Sequence, residues 1–125
     1  MRLWHQDLIS KLPRQQLLGQ HRECCALRGN GWGKKHSVVN YIFEYPMENL
    51  IAYHFLIMQE MDNRGYKVEP KWWSEEYRGS KCDSYDFHWV IFKKILGQDK
   101  IYKEHNKKYL EECLTNLKGK GVIIV

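Results

Sequence analysis

A single carboxylate, Glu23, stands among small and basic residues in the stretch from Pro13 to Leu27. If that stretch is helical, Leu17, Leu18, His21, Cys24 and Cys25 gather on one side at about 100° per residue, and this side faces a core. Glu23 points almost the opposite way. Its neighbours one turn before and after are Gly19 and Ala26, with Gln15 and Arg22 flanking. Small residues around a carboxylate leave a shallow floor where another backbone or a ligand can approach. Glycine inside a helix costs about 1 kcal/mol relative to alanine, so Gly19 needs a local reason. Two readings stand side by side: a catalytic carboxylate in a small cleft with Arg22 beside it, and an exposed helical glutamate with incidental neighbours.

Downstream lies Gly29-Asn30-Gly31-Trp32-Gly33-Lys34-Lys35-His36. Alternating glycines let backbone N–H groups turn toward an anion, and Lys34, Lys35 and His36 supply charge-assisted donors for phosphate. The spacing is neither that of a P-loop nor of a dinucleotide fingerprint. The competing reading is a helix exit followed by a basic turn, although Trp32 in a basic loop suits stacking on a base. His21, Cys24 and Cys25 have the spacing of half a zinc site. They fall on the apolar face and no second ligand pair has the usual spacing, so no metal site is expected. His54 reads as a core histidine, and Trp72-Trp73 as a loop anchor on the core.

These groups need a scaffold, and the chain has one domain's worth of residues, 125, without an internal linker or repeat. Hydrophobic residues make up 43% and prolines number three, which excludes a disordered tail. No apolar run is long enough for a membrane helix and the N-terminal residues lack a signal-peptide core, so a soluble, cytoplasmic protein is expected, nucleoid-associated if bacterial. The four cysteines contain no C-x-x-C pair and read as reduced thiols. The net charge of +5 is uneven: residues 1–40 carry seven Lys/Arg against Asp7 and Glu23, whereas residues 41–80 hold four basic and seven acidic side chains. A basic first third beside an acidic middle suits a polyanion-facing surface, and ordinary solvated charge is the even alternative.

Three segments have helical period: Pro13–Leu27, closed by Gly29 in a left-handed conformation; Pro46–Arg64, broad in its apolar stripe and therefore central, stopped by Gly65; and Lys103–Lys118, with Leu110, Cys113, Leu114 and Leu117 on one face. Ser84–Leu96 reads as a shorter fourth helix, Ser37–Tyr45 as extended, and residues 66–83 as a long loop. The apolar tail Val122–Val125 docks on the core or at a partner. The expected fold is mainly α, a compact single domain over residues 1–125 with three principal helices.

The order of these motifs resembles the pyrimidine-dimer DNA glycosylases of the bacteriophage endonuclease V type. Gln15, Arg22 and Glu23 are similar to a Gln, an Arg and the catalytic Glu of that family's first helix. Lys34-Lys35-His36 is similar to its basic turn, Met47–Gly65-Tyr66 to its second helix, and Glu76-Tyr77-Arg78-Gly79 to its acidic-aromatic-Arg-Gly loop. The likeness covers about the first two-thirds of the chain and is faint beyond Ser80.

The resemblance implies a DNA repair enzyme that needs no cofactor and acts on damaged double-stranded DNA as a glycosylase with apurinic-site lyase activity. The N-terminal amine of Met1 would attack the sugar, with Glu23 and Arg22 catalytic. Arg2, Arg14, Gln15, Lys34, Lys35, His36 and Arg78 would contact DNA. An α-amino group, with a reference pKa of about 7.7–8.0, is better suited to attack at neutral pH than a lysine. The sequence departs from the family in three places. Arg2 is bulky and keeps Met1 in place, moving the amine by about 3.6 Å of chain. Ala26 stands where the family has an Arg, and the apolar C-terminus replaces an aromatic-rich one. The alternatives are a non-catalytic DNA-binding module on the same scaffold and a small metal-dependent nuclease. A monomer is expected, with a dimer through the apolar tail as the other state.

Overall fold

In a computed structural model, which describes residues 2–34 and 39–124, four α-helices are joined by loops and short 3-10 turns, with no strand among the described residues. Helix α1 spans Arg14–Arg28, α2 Met47–Asn63, α3 Trp89–Leu96 and α4 Lys107–Gly119. The mainly helical class and the three principal helices with a shorter fourth are as the periodicity predicts.

Helix α2 is the hub. Eleven of its side chains are buried, and it packs against α1 on one side and α3 on the other. Proline before its first turn and Gly65 after its last, at φ +79°, set its limits. A buried stripe this wide fits only a helix covered from several directions. Helix α1 contributes Leu17, Cys24 and Leu27, and α4 contributes Cys113 and Leu117, to the one hydrophobic cluster shared by all four helices.

Two helices start later than their apolar periodicity predicts, each because a side chain fixes the residues before it in a non-helical path. Before α3, the fully buried Glu48 accepts from the Tyr85 hydroxyl at 2.6 Å and from the His88 N–H at 2.8 Å. Burial alone would raise its pKa, but these donors outweigh it and hold the carboxyl below its ordinary value. Helix α4 begins at Lys107 because the Asn106 side chain caps the Tyr109 N–H at 2.9 Å, while Ile101, Tyr102 and His105 are drawn into the core.

Residues Asn40–Glu44 form a 3-10 turn that buries Ile42, not the extended segment predicted over Ser37–Tyr45, of which residues 37 and 38 lie outside the described residues. A second 3-10 turn, Gln6–Lys11, has no sequence precedent; Arg64 fastens it to α2 by donating to the Leu12 and Ser10 carbonyls. The tail folds back after Gly121, at φ +83°, and packs Val122 and Ile124 on the core while Ile123 stays exposed. Trp72 and Trp73 anchor the loop before α3, lying against His54 and Phe55.

Gly29 ends α1, but not in a left-handed conformation. Its φ is −95°, and glycine is required because a Cβ there would lie 2.8 Å from the Arg78 carbonyl oxygen. Gly29→Ala should therefore destabilise the fold by about 1–3 kcal/mol through overpacking. Gly119→Ala, whose Cβ meets nothing within 4 Å, should be neutral or slightly stabilising. Urea unfolding of the two variants checks the contrast.

Candidate functional site

The outward face of α1 forms the floor of a cleft of about 320 Å³. Glu23, Arg22, Gly19, Gln15 and Gln16 come from α1, Arg2 and Trp4 from the N-terminal segment, and Lys120 from the turn after α4. The cluster predicted around Glu23 is thus brought together, except that Ala26 lies beyond it. Sequence reasoning missed Trp4, Gln16, Gln20 and, from the far end of the chain, Lys120. The last reaches the cleft because Lys120, Gly121 and Val122 donate their N–H groups back to Leu117 and Lys118, bending the chain over α1. Half-buried Glu23 has no ion pair or side-chain hydrogen bond to another described residue, though three cations share its cleft.

Gln20, on the same helix, explains why the N-terminal segment runs here. Its side-chain oxygen accepts from the Trp4 N–H at 2.6 Å and its amide donates to the Arg2 carbonyl at 3.0 Å. The Tyr53 hydroxyl donates to the Trp4 carbonyl at 2.6 Å, and the Tyr109 hydroxyl donates to the Leu3 carbonyl. His105 accepts from the Gln6 N–H at 3.0 Å, and burial pushes its pKa down to about 3, so that it stays a neutral acceptor. Residues 2–6 are thereby fixed by α1, α2, α4 and the loop before α4. Gln20 has the periodicity of the buried face and a polar side chain, which was the only signal available.

Gly19 has space above it: a Cβ would meet only the Arg22 guanidinium, at 3.8 Å. No described residue demands glycine at this position.

The other predicted positions are scattered. Arg14 lies over the Tyr66 ring at 5.0 Å, outside the cleft. Lys34 is exposed beyond the end of α1. Arg78 donates to the Arg28 carbonyl at 2.7 Å and the Gly29 carbonyl at 3.1 Å, capping the helix at the end away from Glu23. Met1, Lys35 and His36 lie outside the described residues. The glycine run is not an open anion cradle. The N–H groups of Gly29, Gly31, Trp32 and Lys34 all donate to carbonyls of α1 or of the run itself, and Trp32 packs edge-on against Phe43.

On the opposite face of α1, His21, Cys25 and His54 meet, their nearest ligand atoms all within 4.8 Å of one another. Beside them Arg28 is fully buried with no ion pair to a described residue, Glu75 acting on its charge only from beyond that range. It donates to the carbonyls of Trp72, Ser74 and Tyr77 at 2.8–3.0 Å and to His54 Nδ1 at 3.0 Å. Because a guanidinium only donates, His54 carries its proton on Nε2 and gives it to His21 Nδ1 at 2.8 Å. Burial, with Arg28 and His21 adding to it, holds His54 well below its ordinary pKa. Burial pushes the Cys25 thiol up to about 12, with Arg28 acting in the other direction. Sequence spacing could not reveal this trio, because the third member comes from α2, 29 residues beyond Cys25.

No helix among the described residues is long and apolar enough to cross a membrane. No curated protein and no solved structure matches the chain. The family model described as pyrimidine dimer DNA glycosylase matches residues 1–74, which include α1, α2 and every residue of the Glu23 cleft except Lys120. With more than half of its length matched, the chain belongs to the pyrimidine dimer DNA glycosylase family.

Proposed function

We propose that residues 1–125 form a single repair domain that excises damaged pyrimidines, pyrimidine dimers among them, from double-stranded DNA and then cleaves the abasic site as a lyase. The observation that carries this reading is the double hydrogen bond of Gln20, which lays the start of the chain along the helix face that bears Glu23. Arg2 lines the same cleft, the amine that precedes it is taken as the nucleophile, and the low intrinsic basicity of an α-amine leaves a neutral fraction at physiological pH.

The amine of Met1 attacks C1′ of the damaged nucleotide and the bond from C1′ to the base breaks. The base leaves with that electron pair and takes up a proton. Loss of the amine protons and opening of the sugar ring give an imine between Met1 and C1′. Removal of a proton from C2′ then expels the 3′ phosphate by β-elimination. Glu23 stabilises the positive charge that develops at the sugar and moves protons in imine formation and elimination. With no ion pair to another described residue, the carboxylate is available for both roles. Arg2, Arg22 and Lys120 hold phosphates around the lesion, and Gln15 meets a base edge or the backbone. Lys120 offsets the cation that Ala26 does not supply. Lys34, Lys35, His36 and Arg14 extend the contact along the duplex, whereas Arg78 serves the loop it fastens. A lesion already weakens stacking and pairing, which lowers the cost of extruding a nucleotide into so small a cleft.

Borohydride reduction on a duplex with one abasic site, run beside a duplex with one pyrimidine dimer, should trap a covalent adduct that maps to Met1. An unmodified, well-folded protein that binds both duplexes and gives no adduct would leave only a DNA-binding module. Glu23→Gln should abolish turnover and leave the dissociation constant for DNA within about twofold, since binding rests on phosphate contacts. Gly19→Ala should separate stability from activity. It should raise stability by about 0.5–1 kcal/mol through helix propensity, while a methyl group on the cleft floor lowers kcat/KM for the dimer duplex. Equal or better activity would show that the floor is not in contact with DNA.

A further inference from the structure

We propose that His21, Cys25 and His54 form a binding site for one thiophilic metal cation, of which Zn²⁺ is the representative, between α1 and α2. The site is independent of the glycosylase reading, because it lies on the face of α1 opposite Glu23.

The geometry is that of a ligand set with protons in place of the ion. Cys25 Sγ lies 3.8 Å from His21 Nε2, 3.9 Å from His21 Nδ1 and 3.9 Å from His54 Nε2, and the two imidazoles face each other at 2.8 Å. Around a tetrahedral zinc ion with bonds of about 2.0–2.1 Å to nitrogen and 2.3 Å to sulfur, two nitrogens sit about 3.3 Å apart and nitrogen and sulfur about 3.6 Å. Each pair therefore needs to move by about half an ångström or less. His21 and Cys25 are one helical turn apart on α1, which presents both to the same point, and His54 is held on the central helix by Arg28. His21 and Cys25 are only half-buried, and Cys25 lines a second cleft beside Trp72 and Arg78, so an ion has a way in and a fourth coordination position is left over.

Loading the ion balances in protons. The Cys25 thiol releases its proton to solvent and binds as thiolate. The His54 ring proton moves from Nε2 to Nδ1 and leaves Nε2 for the metal. Arg28 then faces a donor where it had an acceptor, so that one bond is given up while its three carbonyl bonds remain. The thiolate in turn adds a second anionic neighbour, beside Glu75, for this buried guanidinium.

The full chain, stripped with chelator and desalted, should take up one equivalent of Co²⁺ as a probe for Zn²⁺. It should show a thiolate-to-cobalt charge-transfer band in the near ultraviolet and the strong visible bands of a four-coordinate ion, and added Zn²⁺ should displace both. Cys25→Ser and His21→Gln, each at a half-buried position and checked by circular dichroism, should lose the charge-transfer band and at least tenfold in affinity. Cys24→Ala and Cys82→Ser should keep both. Failure of the wild-type protein to retain cobalt, a band that survives Cys25→Ser, or a band that disappears with Cys82→Ser instead would each overturn the assignment, whatever the outcome on DNA.

Discussion

Buried backbone without a helix or strand of its own must find hydrogen-bond partners elsewhere, and residues 2–6 are the place where this protein meets that constraint. Leu3, Trp4 and His5 are almost wholly enclosed. Gln20 meets the Arg2 carbonyl and the Trp4 N–H, Tyr109 the Leu3 carbonyl, Tyr53 the Trp4 carbonyl and His105 the Gln6 N–H, while the His5 carbonyl accepts from the Leu8 N–H. Each such bond contributes only about 1 kcal/mol, but an unmet buried partner costs about 1–3 kcal/mol. The penalty for misplacement, more than the gain from each bond, therefore fixes the path of the segment. Three helices, α1, α2 and α4, are tied to one stretch of chain, and the cleft exists because that stretch lies along α1.

The other end of α1 is organised by a different device. Arg28 draws Trp72, Ser74 and Tyr77 together around a buried cation, and Arg78 returns to cap the carbonyls of Arg28 and Gly29. The Trp72 ring lies 5.2 Å from the guanidinium carbon, and Arg28 Nε has no partner among the described residues. A charge held this way is costly to desolvate, and it is retained because it orders a loop that lacks regular structure. One helix thus carries two unlike tasks: its outward face offers an unpaired carboxylate, and its last turn secures a loop.

Much of this was legible in the sequence where the signal is periodic. The helices follow from the recurrence of apolar residues, the stop of α2 from Gly65, and the gathering of Gln15, Gly19, Arg22 and Glu23 from helical geometry alone. What was not legible depends on partners distant along the chain. Glu48 was an ordinary first-turn acid until Tyr85 and His88 folded onto it. Gln20 and Arg28 are polar types whose burial is set by the N-terminal segment and the 72–77 loop. The spacing of the glycine run suits an anion cradle and a plain helix exit alike. Close packing uses two of these glycines, with would-be Cβ atoms of Gly29 and Gly31 each 2.8 Å from a carbonyl oxygen, and Gly33 takes a φ of +77°.

The clamp on the N-terminal segment also bears on when this protein can become complete. Gln6 is held by His105 and Leu3 by Tyr109, contacts that span 99 and 106 residues of sequence. Loops of that length close late, after local helices have formed, and during synthesis they cannot close until the C-terminal helix has left the ribosome. The first residues made are therefore the last to be seated. Helices α1 and α2 can form early, but Lys120 and the Tyr109 and His105 bonds to residues 3–6 are missing until α4 arrives, so a prematurely ended chain would carry Glu23 on a sound helix beside an N-terminal segment held by Gln20 and Tyr53 alone.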